Sequence, residues 1–347
     1  MSAVPNDITS AAAVPRRTAL VAPLSVRPQL SLRTAVVVGT GLIGTSVALA
    51  LTACGVRVHL EDRDPGAAAR AQSVGAGTLE PPAVPADLAV VAVPPDAVGT
   101  VVRDCRRRAL AVHTLDLADV KAVPLADLTA LGCDTTHHIG GHPTTAREVS
   151  GPSAARADLF RERPWVLTPL ARTRTDTLNA ALDVVTACGA TPVVMEPHDH
   201  DRAVALVSHA PHLLSSLLAG RLAQAPPGAL RLAGPGVHDM TRAAAGDPEL
   251  WAGILATNAG AVADVLGELA DDLGRTVAAL RALAAGGTAP DERRLTEVLG
   301  HGRTGRIRLD ENHGGSLARE PRPAAHDLRP DAPRGHAARP GPALRAG

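Results

Sequence analysis

The 347-residue chain carries 35 basic and 35 acidic residues, so it presents no net positive field to nucleic acid or to an anionic membrane. Phe160, Trp165 and Trp251 are its whole aromatic set, too few for a base-stacking surface. The length suits two domains that each bury a core, and the expected partners are small molecules, with no nucleic acid and no membrane.

Residues 1–31 mix Pro, Ser, Ala and Arg without a period and read as a flexible extension. They lack an apolar core followed by a small-residue cleavage site, and no run reaches the roughly 18 apolar residues of a bilayer span. The expected location is cytoplasmic. Cys54, Cys105, Cys133 and Cys188 are widely spaced with no CxxC pair, which predicts free thiols and no metal site.

The first regular element is TAVVVG at 34–39, a continuous β-branched run of the kind buried on both faces of a parallel sheet. GLIGTSVALALTACG at 41–55 predicts a helix stopped at Gly55, and VRVHLED at 56–62 and DLAVVAVP at 87–94 predict two more strands. ALAVHTL at 109–115 and WVLT at 165–168 are further strand candidates. This alternation is that of an α/β doubly wound parallel sheet. Beyond Pro169 the period turns helical, at 175–189, 201–218 and 251–285. Four regions are expected: the extension at 1–31, a dinucleotide-binding domain at 32–170, an all-helical domain at 171–300 that buries its apolar faces in a dimer, and a disordered Pro/Gly/Arg/Ala-rich tail at 301–347.

GxGxxG at Gly39, Gly41 and Gly44 falls between a predicted strand and a predicted helix, the context that makes it a Rossmann-type cofactor loop. Gly39 permits the tight turn, Gly41 lets the backbone approach a pyrophosphate, and Gly44 lets helix and strand pack closely. With Thr40, Leu42 and Ile43 they form the expected cradle, its helix N-terminus facing the phosphates. Asp62 closes the second strand, where a carboxylate accepts both ribose hydroxyls of NAD and repels a 2′-phosphate. NAD is therefore favoured over NADP. Glu61, on the other strand face, is expected to be structural.

Three later stretches bring charge and imidazole into apolar surroundings: IGGHPTTAREVSG at 139–151, HDRAVALVSHAPH at 200–212 and GVHDMTRAAAGDPELW at 236–251. His142 before Pro143 suggests an imidazole positioned in a loop, the alternative being a histidine packed against the sheet edge. His209 and His212 share a helix face provided the helix survives Pro211.

Together with GTGLIGTS, DxxxVK at Asp116–Lys121, and ADLF followed by PWVLTP, these motifs resemble the prephenate dehydrogenase (TyrA-type cyclohexadienyl and arogenate dehydrogenase) family over residues 33–300, in an actinobacterial-like form without a C-terminal ACT domain. The resemblance implies a Rossmann domain followed by a helical dimerisation domain, a homodimer, and NAD-dependent oxidative decarboxylation of a cyclohexadienyl substrate in the cleft between the domains. It implies His142 as the catalytic base, with a pKa near neutrality, and Arg242 as the ligand of a substrate carboxylate. Asp239 and Glu148 are its ionic and gating partners, Glu148 being otherwise a surface charge, and His209 and His212 line the substrate. Val93, Asp116 and Lys121 fall on the cofactor side, Lys121 as a residue that orders the loop.

The sequence departs from the family where DxxSVK has serine: here that position is Asp119. A carboxylate there would raise the pKa of His142 and would suit a cationic ring substituent such as the amine of 4-amino-4-deoxyprephenate. Thr144, Thr145, Ala146 and His238 are further departures. Rival expectations are a catalytically silent NAD-binding dimer and an oxidoreductase for β-hydroxy acids, which would need a lysine on a central helix.

Overall fold

The computed structural model describes residues 30–144 and 151–313. The alternation in the first half becomes β1 (Thr34–Val38), α1 (Leu42–Ala53), β2 (Arg57–Glu61), α2 (Pro65–Ser73), β3 (Ala86–Val91), α3 (Pro95–Arg107), β4 (Ala111–Asp116), α4 (Ala122–Ala130) and β5 (His138–Pro143). Then come β6 (Pro164–Thr168), α5 (Thr175–Ala187) and β7 (Thr191–Val194). The strands lie in the order β2-β1-β3-β4-β5-β6-β7. All neighbours run parallel except β5 and β6, which pair antiparallel.

Strand alternation sends Val37, Leu88, Val90, Leu115, Ile139 and Leu167 to one face, where α1 and α5 cover them. Val36, Ala89 and Val91 face the other way, onto α3 and α4. Helices on both faces are why the central strands β1 and β3 read as nearly continuous apolar runs. Phe160 and Trp165 are fully buried and meet edge to face at 5.3 Å, filling the space beside β6 that smaller side chains would leave empty.

Three boundaries differ from expectation. Leu30 is buried and Ser31 and Leu32 donate to the Asp183 carboxylate on α5, so the last two residues of the expected extension pack on the sheet domain. The sheet does not end at 170: α5 packs on its core and β7 adds a seventh strand up to Val194, because TPVV is too short to show a period. The last helix, introduced below, continues to His313, so the tail expected from 301 is helical to that point.

The second half is helical: α6 (Pro197–Val204), a π-helical turn (Ala205–His209), α7 (Ala210–Leu222), α8 (Pro227–Leu230), α9 (Pro235–Thr241), a 3₁₀ turn (Arg242–Ala245), α10 (Pro248–Thr257), α11 (Ala259–Ala284) and α12 (Ala289–His313). The helix survives Pro211 through the π turn just before it. Proline lacks an N–H and its ring crowds the carbonyl four residues back, and one wide turn absorbs both problems. From Pro197 to Leu222 this segment has the length and composition of a bilayer span. Its inward face, however, carries the buried His200, Asp201, His209 and His212, which are engaged with the rest of the molecule as described next.

Candidate active site

Both candidate regions lie at the carboxyl ends of the strands. The first is the crevice between β1 and β3, where the strand order reverses and doubly wound sheets bind ligands. Gly39 has φ +95° and an added methyl there would stand 2.2 Å from the Ala92 carbonyl oxygen; at Gly44 it would stand 1.9 Å from the Gly39 oxygen. At Gly41 a methyl would meet nothing within 4 Å: the missing side chain opens space above the loop and is not needed for packing. No side chain caps the N-terminus of α1 and its first turn holds no acid, which leaves its amides to an anion. Thr40 and Leu42 are buried, Ile43 packs on the core, and Val93 lies over Gly39. The loop thus fits a dinucleotide pyrophosphate.

Asp62 stands beside this loop, but its Oδ2 already accepts from the Thr40 amide at 2.6 Å and the Thr40 hydroxyl at 2.9 Å. Partial burial works against its charge; the Thr40 and Asp64 hydrogen bonds outweigh it and hold the carboxyl below its usual range. The ribose contact expected of Asp62 is therefore shared with a structural one. Glu61 pairs with Arg108 at 2.6 and 2.9 Å.

The second region gathers around β5. His142 is not in a loop: it is paired in β5 opposite Val166 of β6, since the two glycines before it let the strand pass close to Trp165 and Asp116. Its Nδ1 lies 2.9 Å from His200 Nε2, and His200 Nδ1 lies 2.8 Å from Asp201 Oδ1. The ionised carboxylate only accepts, so His200 carries its proton on Nδ1 and offers a lone pair at Nε2. His142 then donates from Nδ1 and keeps the lone pair of its own Nε2, the form a general base requires. Asp201 is fixed by the backbone amides of Lys121 and Ala122, each at 2.8 Å. The Asn258 amide donates to the Asp201 carbonyl at 2.9 Å and lies 3.1 Å from His209 Nδ1, which leaves the His209 proton on Nε2.

His142 does not have the raised pKa expected of a neighbour to Asp119. Its removal from water, then electrostatic interaction with His200, Lys121 and His209, push it well below the ordinary imidazole value, with Asp116 opposing. Asp119 sits within electrostatic reach of Lys121, His200 and Asp201, and burial raises its own pKa. Asp119 is not among the main influences on the His142 ring.

Asp116 and Lys121, expected on the cofactor side, meet beneath β5. The Lys121 ammonium donates to Asp116 and, at 2.6 Å, to the Gly141 carbonyl, and His138 Nε2 lies 3.2 Å from Asp116. His212 stacks on Trp251 at 3.6 Å between ring centres, and Ala244 donates to Ser215 at 3.1 Å, seating the Arg242–Ala245 turn on α7. Arg242 and Asp239 are exposed near this turn. Glu148 lies outside the described residues, as do Thr145 and Ala146. His200, Asp201 and Asn258 join this candidate site without having been expected to hold a role in it, although His200 and Asp201 open the same motif as His209.

Residues 47–194 match the family model described as prephenate dehydrogenase, nucleotide-binding domain, and residues 196–300 the model described as prephenate dehydrogenase, dimerization domain. The division falls at the end of β7. The chain is 43% identical over 286 residues to "Probable prephenate dehydrogenase NovF" of Streptomyces niveus, covering 82% of this chain and 79% of that protein. To the cyclohexadienyl dehydrogenase of Zymomonas mobilis it is 31% identical over 250 residues, covering 68% and 85%. Among solved structures, prephenate dehydrogenase from A. aeolicus in complex with hydroxyphenyl propionate and NAD+ shares the fold, with a TM-score of 0.69 at 22% identity over 81% of this chain and 100% of that one. Synechocystis arogenate dehydrogenase superposes with a TM-score of 0.66 at 25% identity, over 79% and 99%.

Proposed function

The chain belongs to the prephenate dehydrogenase family, and on that premise we propose that it catalyses the NAD-dependent oxidative decarboxylation of prephenate to 4-hydroxyphenylpyruvate. The observation that carries this proposal is the His142–His200–Asp201 chain, which leaves a neutral imidazole with a free Nε2 at the carboxyl end of β5. Bound NAD would supply the acceptor for a hydride from ring C4. As that hydride leaves, His142 Nε2 takes the proton of the C4 hydroxyl. The bond from the ring to its carboxylate then breaks, its electron pair completes the aromatic ring, and the proton returns from His142 to the phenol oxygen. No proton is lost overall, so His200 and Asp201 serve to orient His142 and to steady its transient charge.

Gly39, Thr40, Gly41, Leu42, Ile43 and Gly44 would hold the dinucleotide, with Val93 over the loop. Asp62, kept ionised by Thr40, favours NAD over NADP. Arg242 would take a substrate carboxylate by a bidentate pair, with Asp239 and Glu148 proposed as its ionic and gating partners, and His209 would donate to the substrate from Nε2. A homodimer through the helical domain and a cytoplasmic location complete the proposal.

Arogenate is the alternative substrate that differs only in its side chain. Asp119 favours one further reading, a dehydrogenase for 4-amino-4-deoxyprephenate, because a carboxyl near His200 suits a cationic ring substituent. The test follows nicotinamide reduction with all three compounds, each with NAD and NADP. Turnover of prephenate supports the proposal and turnover of arogenate alone moves it to that substrate. Turnover of the amino compound alone, lost in Asp119→Ser, replaces it with the second reading. Silence on all three with NAD still bound overturns catalysis in favour of a dinucleotide-binding dimer.

A further inference from the structure

The charged network under β5 has no part in the chemistry above. Lys121 and Asp116 are 2% and 1% exposed, and Asp116 also meets His138 at 3.2 Å and the Ala118 amide at 3.1 Å. Burying such a pair costs desolvation that mutual attraction seldom repays in full, so stability alone is a poor reason for it. Its geometry offers another. The Lys121 ammonium donates at 2.6 Å to the carbonyl of Gly141, the residue before His142. The Lys121 backbone amide donates at 2.8 Å to Asp201 Oδ1, the oxygen that also binds His200. β5 comes this close only because of its glycines: a methyl on Gly140 would stand 3.0 Å from the Lys121 Cδ and 2.5 Å from the Thr168 hydroxyl, and one on Gly141 would stand 3.1 Å from the Asp116 carbonyl oxygen.

We propose that Lys121 is a positioning residue for His142: its ammonium clamps the strand carrying the base, and its amide clamps the carboxylate that orients His200. Both ends of the histidine chain therefore hang on one residue. Electrostatics act in the same direction. The groups facing His142 are His200 on α6, Lys121 before α4, His209 in the π turn and Asp116 at the end of β4; burial comes first in keeping the ring neutral, followed by electrostatic interaction with His200, Lys121 and His209 in that order, with Asp116 opposing. The inference rests on His142 being the base, but its test need not.

The experiment compares Lys121→Met, and Asp116→Asn/Lys121→Met in case the single variant leaves Asp116 unpaired and unfolds. The first readout is the ¹⁵N-imidazole titration of His142 in the free protein, assigned by its loss in His142→Gln. The second is the pH profile of kcat and KM with whichever substrate is turned over. We expect the His142 midpoint to move up towards the ordinary histidine value, most in the single variant. The acidic limb of kcat/KM should move with it, and kcat should fall about 10- to 100-fold with KM nearly unchanged. A folded variant with an unmoved His142 midpoint and wild-type kcat would overturn the proposal. If no substrate is turned over by the wild type, the proposed reaction fails while the titration still decides the role of Lys121.

Discussion

His142 works as a base only while it is neutral, and the fold keeps it so: loss of water comes first, then the potentials of His200, Lys121 and His209. The acidic limb of kcat/KM should accordingly lie below about pH 6.5, the ordinary imidazole value, with the rate flat from there to neutrality. An acidic limb at or above that pH would exclude His142 as the titrating base. Asp201→Asn removes the charge that holds the His200 proton on Nδ1, so kcat should drop by about 10²-fold or more while dinucleotide affinity, measured by fluorescence quenching, stays as in the wild type. The same residues set a stability profile. His142, His209 and His113 all titrate below the unfolded value, burial being the first cause in each. The unfolded chain therefore binds protons more readily, and the stability gained by keeping them neutral is complete above about pH 6.5 and lost as the pH falls through the folded values. Asp62 and Asp201 are lowered instead, hydrogen bonds outweighing burial, and their contribution is lost only below about pH 4. Thermal denaturation midpoints should thus decline in two stages on acidification; a single decline below pH 4 would show that the histidines titrate normally.

At the scale of elements, the three glycines of the cofactor loop separate folding from binding. Gly44→Ala drives a methyl into the Gly39 carbonyl, and Gly39→Ala adds a positive φ to a clash with Ala92. Each should cost a few kcal/mol, about 1–3 from backbone strain alone, and be seen as a lowered thermal midpoint. Gly41→Ala meets no protein atom, so its midpoint should stay unchanged while NAD affinity falls. Equal destabilisation by all three would mean that the space over Gly41 is not the cofactor's. The elements themselves follow from local pattern to differing degrees. β1, α1, β2 and β3 announce themselves because burial on both faces demands continuous apolar runs. β5 does not: HIGGHP carries two glycines and a proline, residues that local propensity assigns to a loop, and it is a strand because Lys121 and Asp116 need backbone, not side chain, above them. β7 has four residues and no buried face, and the π turn exists only to carry the helix past Pro211.

For the whole molecule, the helical half, which matches the dimerization-domain model, leaves Leu206, Val207, Leu214, Leu217 and Leu250 at least 43% exposed; exposed apolar surface of this kind marks interaction sites when it is contiguous. With a second copy as the proposed cover, Leu217→Asp should shift the sedimentation coefficient from dimer to monomer; a wild-type chain that sediments as a monomer would remove the dimer from the proposal. The sequence by itself determined the doubly wound half, the glycine loop with Asp62 twenty or so residues on, the helical second half and the three motifs that hold the site, because strand burial, turn conformation and helix periodicity act between near neighbours in the chain. It could not determine which of those polar residues face one another. His142 and His200 are 58 positions apart and Lys121 and Asp201 are 80 apart, and whether a histidine is a neutral base or a lysine a clamp depends on water excluded and charges approached across such distances. Tertiary structure alone placed Lys121 under β5, carried the sheet on to Val194, and lowered the pKa of His142 that a neighbouring carboxylate was expected to raise.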